Sequence, residues 1–321
     1  MRFTKKEFID GETAYMEKLA TYKNGNTLTT IYDDGTKTHF TKEDDFRFEF
    51  PECHDITISQ CCDNGCPFCY YGCTPSGKHG KLIGWNFFDT MRPYTEIAIN
   101  LQYPLHPQLI QFLEEMKERK IIVNATINQN HFMRDCTYPD TNERLIYGLV
   151  KRGLVNGIGI SLTNPTQKRF IEAVQKYPNA VIHVIAGILN PEDLVPLMNK
   201  GLKLLILGYK TTGRGTDYFF SHTMSVSDNI RWLSSSLDEV VEGFKVVSFD
   251  NLALEQLDVK SSITDEEWGL MYAGEDGTNT FAIDLVNGTF SRNSVSHIHY
   301  TIGDKTIDEM FKTVRSEVER G

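Results

Sequence analysis

Between residues 53 and 250, short β-rich runs alternate with helical stretches, and no other feature restricts the fold of this chain as much. Strands are expected at 55–59, 96–100, 121–128, 157–163, 181–187, 203–209 and 245–250. Helices are expected between them, at about 107–119, 141–152, 165–176, 191–200 and 227–242. Asn164-Pro165 and Asn190-Pro191 read as helix starts, a cap followed by proline in the first turn. A strand, a helix and another strand form the unit of a parallel sheet, since parallel neighbours need a long crossover.

Six or seven such units fall one or two short of the eight of a full barrel. The expected fold class is therefore α/β, a partial (β/α)6-type TIM barrel over 51–250 with an extension at each end. Residues 1–50 read as an accessory segment, a polar helix (roughly 5–20) followed by a hairpin. Its runs Thr27–Tyr32 and Thr36–Thr41 are joined by Asp33-Asp34-Gly35. Residues 251–321 read as a cap: a helix (264–272), a second hairpin turning at Asn287-Gly288, and an amphipathic helix, Ile307–Val318.

Five of the seven cysteines fall within CCDNGCPFCYYGC, residues 61–73. Core packing does not require such crowding. Cys62, Cys66 and Cys69, spaced x3 and x2, offer three thiolates to one centre and leave a corner open. An open position is what a catalytic metal site keeps for its substrate. Two other readings use the same residues. With Cys73 the set makes an all-thiolate zinc site, although zinc sites usually draw two pairs from separated segments. A ferredoxin run has a first gap of two and a proline after its fourth cysteine; here the gap is three and Thr74 follows Cys73.

Strand parity suggests a polar interior. Residues two apart share a face, which groups Thr57 with Ser59, Asn124 with Thr126 and Asn128, Gly159 with Ser161 and Thr163, His183 with Gly187, and Ser248 with Asp250. A closed eight-stranded barrel fills its lumen with branched apolar side chains. A polar lumen points to a wider, partly open barrel that holds a polar ligand.

The cysteine loop after a first strand, with Phe68 just before the last cysteine, resembles that of radical S-adenosylmethionine (SAM) enzymes. The likeness covers about 53–250 and extends to the uncharacterised-type radical-SAM proteins of anaerobic Firmicutes and their phages. It implies that Cys62, Cys66 and Cys69 bind three irons of a [4Fe-4S] cluster and that SAM chelates the fourth. It further implies that one electron, from a reductant such as flavodoxin or ferredoxin, cleaves SAM to a 5′-deoxyadenosyl radical, which abstracts hydrogen from an unidentified substrate. Phe68 is expected beside the adenine, Asn128 and Ser161 at the SAM ribose or carboxylate, and Gly187 near the adenine. The family's Gly-Gly-Glu motif is absent after the second strand, where Asn100 and Gln102 supply the polar atoms.

His183, Lys210 and Asp250 are the candidate catalytic groups. Lys210 and Arg214, in the Gly-flanked loop Lys210 to Gly215, suit an anionic group; the alternative roles of the three candidates are a core histidine, a solvated loop and a helix N-cap, respectively. A small metabolite or nucleotide is favoured over a peptide, because Cys136 alone follows Cys73 and no further cluster is supported. With 33 Lys plus Arg against 43 Asp plus Glu, the net charge of −10 argues against broad nucleic-acid binding. No long apolar run or leader is visible, so a cytoplasmic protein without membrane contact is expected. A non-catalytic iron–sulfur or zinc protein, regulatory or electron-carrying, is the alternative function.

Overall fold

The computed structural model describes residues 2–4, 16–137 and 144–319, and of residues 2–4 only the backbone. In chain order the first elements are β1 (Arg2–Thr4), β2 (Lys18–Asn24), β3 (Thr27–Tyr32) and β4 (Lys37–Phe40). The repeat follows: β5 (Cys53–Thr57), β6 (Glu96–Leu101), α1 (Leu109–Glu118), β7 (Ile122–Asn128), α2 (Gln129–Cys136), α3 (Leu145–Lys151), β8 (Gly157–Ser161), α4 (Phe170–Val174) and β9 (Ala180–Ile185). Next come α5 (Pro191–Leu194), β10 (Lys203–Leu207), α6 (Arg214–Ser235), α7 (Leu237–Gly243), β11 (Val246–Phe249) and α8 (Asn251–Gln256). The chain ends with α9 (Asp265–Met271), β12 (Thr280–Asp284), β13 (Thr289–Ser291), β14 (Tyr300–Thr301) and α10 (Ile307–Val318).

One sheet of eleven strands, ordered β1-β11-β10-β9-β8-β7-β6-β5-β12-β13-β14, carries the fold. All seven strands expected from the periodicity form, and β5 to β11 pair in parallel in chain order. The strand order runs from edge to edge without returning on itself, so among the described residues the sheet is open and closes no barrel.

The ends of the chain depart from the expectation. β12 is not a detached cap: it pairs in parallel with β5, from Thr280 opposite Cys53 to Asp284 opposite Thr57. β13 and β14 then extend that edge antiparallel. Residues 18–20 of the expected N-terminal helix are strand, and 5–15 lie outside the described residues. The expected hairpin is present as β3 and β4, and β2 makes it a three-stranded sheet of its own. Helix α2 was not foreseen; Asn128 ends β7 and caps α2, its side chain accepting from the Asn130 N–H at 2.8 Å.

Consecutive right-handed crossovers place the helices on one face. That face is dry: Ile97, Ile99, Val123, Ala125, Ile127, Ile158, Ile160, Ile182, Val184, Leu204 and Ile206 are buried and join Phe112, Phe132, Ile146 and Leu149 in one apolar cluster. The opposite residues of β6, β7 and β9 keep accessible surface, among them Ala98, Asn100, Asn124, Thr126, Asn128 and His183. That face is mostly polar over β5–β8 and mixed beyond, where His183 of β9 and Lys203 of β10 alternate with Val181, Ile185, Leu205 and Leu207.

The small sheet shuts the end where β5 and β6 begin. Lys37 Nζ lies 2.7 Å from Glu96 Oε2 and 3.8 Å from Glu52 Oε2, and His39 Nε2 lies 2.7 Å from Glu52 Oε2. Thr29 donates to Glu52 Oε1 at 2.6 Å, and Asn124 donates to Glu96 Oε1 at 3.2 Å. Burial opposes ionisation of Glu52, but the His39 hydrogen bond and the Lys37 charge outweigh it and hold its pKa near 2, against an ordinary 4.5. Removing one partner of such a buried set strands the others. Lys37→Met is therefore expected to lower stability by about 3–5 kcal/mol in urea unfolding. The depressed Glu52 pKa makes its contribution complete above pH 4.5 and lost as the pH falls toward 2. Glu52→Gln should flatten that part of the stability profile.

Candidate metal centre and the open face of the sheet

Beyond Thr57 the chain is guided by two amides of β6 and its continuation. Asn100 accepts from the Ile58 N–H at 2.8 Å and donates to the Ser59 carbonyl at 2.7 Å. With its amide oriented to satisfy both ends, Gln102 donates to the Ser59 and Cys61 carbonyls at 3.0 and 3.2 Å and accepts from Asn100 at 2.9 Å. The loop is then closed at its base, where the Cys62 N–H donates to the Thr74 carbonyl at 2.8 Å.

Within this closed loop the cysteines divide. Cys62, Cys66 and Cys69 are partly exposed, whereas Cys61 and Cys73 are buried. The Cys61 thiol donates to the Pro75 carbonyl at 3.1 Å. Amide nitrogens of Asn64 and Asn128 both lie 3.8 Å from Cys66 Sγ. A hydrogen bond from the Cys73 thiol, with others from backbone N–H groups, pushes the Cys69 thiol down to about 5 and raises Cys73. Burial raises Cys62 and Cys66, and each feels the charge of Cys69. Among the described residues no three His, Cys, Asp or Glu side chains are already gathered around a metal position. The donor set nonetheless suits a thiolate-bound cluster: three accessible sulfurs on one short loop, within electrostatic reach of one another, with N–H donors turned toward sulfur.

Two neighbours fasten the loop. From α2, His131 Nε2 lies 2.5 Å from Asp63 Oδ1, and Arg134 lies 3.5 Å from the other oxygen. From the start of α6, the Arg214 side chain donates to the carbonyls of Cys66 and Cys73 at 3.0 and 2.8 Å. Its backbone N–H donates to the Cys69 carbonyl at 3.0 Å. Gly213 has φ +53, and a Cβ there would stand 2.4 Å from the Tyr70 carbonyl oxygen. The segment from Lys210 to Gly215, read in the sequence as an anion-binding or solvated loop, is thus the clamp on the cysteine loop.

The other expected site residues are dispersed. Asn128 and Ser161 are directly opposite in register, as are Ser161 and His183, so all three share a row of the open face. Gly159 lets the His183 ring lie over the sheet, since a Cβ there would be 2.2 Å from Cε1. Burial pushes the His183 imidazole down to about 4, so it is neutral at pH 7. Phe68 is half-buried and meets Tyr218 of α6 edge-on at 5.7 Å. Asn100 and Gln102 are occupied in shaping the loop. Gly187 faces packing, not open space: a Cβ there would lie 2.6 Å from Val226 of α6 and 3.1 Å from the Tyr209 ring. Asp250 has the N-cap role, one oxygen accepting from the N–H groups of Ala253 and Gly208 at 2.8 and 2.9 Å. Lys210 donates to Ser294 at 2.9 Å and lies 4.3 Å from the Tyr70 ring centroid.

Sequence reasoning missed Asp63 and His131, and it read Arg214 as an anion binder where it answers carbonyls of the cysteine loop. Asp63 sits inside the cysteine run, which was a usable signal. Nothing local marks His131 at all, and the Gly-flanked loop marks Arg214 without revealing the distant cysteine loop as its partner. No protein-family model matches the chain, and no curated protein matches it. Among the described residues no helix is long and apolar enough to cross a membrane.

The clamp yields a test that spares every thiol. Arg214→Ala and Gly213→Ala are each expected to reduce iron incorporation several-fold in anaerobic reconstitution while leaving the titratable thiol count unchanged. Faster amide exchange across 62–74 should accompany the loss; unchanged iron loading would remove Arg214 from the support of the centre.

Proposed function

We propose that this chain is a radical-SAM enzyme built on a partial (β/α) barrel. The observation that carries the reading is the division of the cysteine run. Three accessible thiols at x3 and x2 spacing stand on a loop at the C-terminal end of β5, while both flanking thiols are buried. Parallel α/β sheets place their sites at that end. A [4Fe-4S] cluster held by Cys62, Cys66 and Cys69, with SAM on its open iron, would supply the electron that cleaves SAM to an abstracting radical. The external reductant is a one-electron carrier of the flavodoxin or ferredoxin kind.

The chain's own residues have distinct parts in this reading. Arg214, His131 and Asp63 hold the loop rigid, and Asn64 and Asn128 turn N–H groups toward Cys66. Phe68 offers an apolar face for the adenine at the loop's edge. Ser161, in one row of the open face with Asn128, offers a hydrogen bond to the polar groups of SAM, while the Asn128 amide is engaged with the Asn130 N–H and Cys66. Asn100 and Gln102 are already satisfied by the loop backbone, so the SAM amino group falls to other residues. His183, neutral and on the same row, is suited to accept or donate one hydrogen bond to substrate.

A second reading rests on the Cys69–Cys73 hydrogen bond, which brings a fourth sulfur to the set. It makes the site a four-thiolate zinc or electron-carrying centre. One experiment separates the two. The protein is reconstituted anaerobically with iron and sulfide, reduced in the presence of SAM, and assayed for 5′-deoxyadenosine. Alanine at Cys62, Cys66 or Cys69 should abolish both cluster absorbance and product, whereas Cys73→Ser should retain both. Loss of metal in Cys73→Ser, or an intact cluster that yields no 5′-deoxyadenosine, would favour the four-thiolate centre.

A further inference from the structure

Asp55 stands at the middle of β5, on the open face, and the reading above gives it no task. Its row explains the space before it. In register it is flanked by Ala282 of β12 and Ala98 of β6, and next to Ala98 comes Asn124. Two alanines leave a pit beside a carboxylate that rises from its floor. Asp55 is accordingly exposed, although protein encloses it closely enough for burial to lift its carboxyl above the usual range. Both hold only if a water-accessible chamber lies in front of the side chain. Asp55 makes no side-chain hydrogen bond or ion pair with any described residue, whereas the polar groups around it are taken.

Its surroundings carry an imbalance of charge. Asp250 and Asp276 lie near enough to raise the Asp55 pKa, and Lys210 lies near enough to lower it. Asp284, opposite Thr57, adds a further carboxylate to the same region. Lys210 eases the charge on Asp55 and Asp250 from a distance, and among the described residues it forms no ion pair with any of the four. Asp276 accepts from the amides of Asn251 and Asn293 at 2.8 and 2.9 Å, and Asp250 accepts from two backbone N–H groups. Asp284 accepts from backbone N–H groups at 2.9 and 3.1 Å, and its second oxygen from Asn287 at 2.6 Å. Lys210 is drawn toward Ser294 and the Tyr70 ring, and Arg292 is paired with Glu275 at 2.8 Å. An enclosed region with four carboxylates and one ammonium is short of positive charge.

We infer that the Asp55 pit is the substrate subsite and that it takes a protonated amine, so that the substrate is a small amine-bearing molecule. An ammonium in the pit meets the one carboxylate that lacks a partner and offsets part of the surplus negative charge. The inference rests on the proposed function only in calling the occupant a substrate. Binding of the amine is a property of the chamber itself.

The test uses the purified full-length protein without SAM and three four-carbon probes: butylamine, 1-butanol and butyrate. Probe affinity is read from the rise in melting temperature with concentration. Butylamine is expected to stabilise the wild type, with butanol and butyrate inert at the same concentrations. Asp55→Asn, isosteric with the native residue, should weaken butylamine by about tenfold or more. Lys210→Met should tighten it several-fold, a gain that a merely damaged fold does not produce. Equal shifts with butanol, an unchanged affinity in Asp55→Asn, or weaker binding in Lys210→Met would each overturn the inference. Displacement of butylamine by SAM would overturn it too, since the pit would then belong to the cofactor. If no amine binds but 5′-deoxyadenosine forms, only this inference fails; if the amine binds and SAM is not cleaved, only the proposed activity fails.

Discussion

Parallel strands that follow one another in chain order send every helix to the same side of the sheet, and this one-sidedness governs the rest of the molecule. The helix side becomes an ordinary apolar core. The other side has no layer of its own, so loops and chain ends must cover it. In this protein the small N-terminal sheet shuts the end where the strands begin. The cysteine loop and the Lys210–Gly215 segment stand over the opposite end, and residues after β12 close the flank. Such cover is polar, because loops bring backbone groups that must be paired. That is why the open face holds hydrogen-bonded amides and carboxylates where a closed barrel would hold branched apolar side chains.

Holding a cysteine-rich loop still consumes polar residues that look like ligands. Asn100 and Gln102 sit where a cofactor-binding motif was expected, yet their amides satisfy the backbone from Ile58 to Cys61. Arg214 sits in a Gly-flanked loop that suggests anion binding, yet it answers two carbonyls of the cysteine loop. The reason is geometric. The thirteen-residue loop from Cys62 to Thr74, with its three accessible thiols, has many carbonyls and few side chains of its own to meet them. Partners must come from β6, α2 and α6, the elements beside it in space.

Much of the fold was legible because it is periodic. The seven strands of the repeat, the Asp-Gly and Asn-Gly hairpins, the Asn-Pro helix start at 190 and the closing helix all rest on local chemistry. β12 was legible as half of a hairpin but not as a neighbour of β5, because a parallel pairing across more than two hundred residues leaves no local mark. The same distinction holds at the site. Cys62, Cys66 and Cys69 announce themselves by spacing. Asn128, Ser161 and His183 follow from parity, since alternation fixes which face each one takes. Gly187 and Asp250 failed as open positions because what fills the space beside them, Val226 and the start of α8, comes from helices that parity does not see. Asp55 shares its parity with Thr57, but only the alanines on both sides make that position a pit.

The pairing of β12 with β5 also decides what the C-terminal segment is for. It brings Ala282 to one side of Asp55, carries Asp276 and Asp284 into the same region, and delivers Ser294 to Lys210. Lys210 in turn stands at the head of the clamp on the cysteine loop and over the ring of Tyr70, which follows Cys69 directly. A displacement of the C-terminal segment would therefore reach both the pit and the thiol loop through one lysine. The segment that reads in the sequence as a cap is, physically, one wall of the chamber.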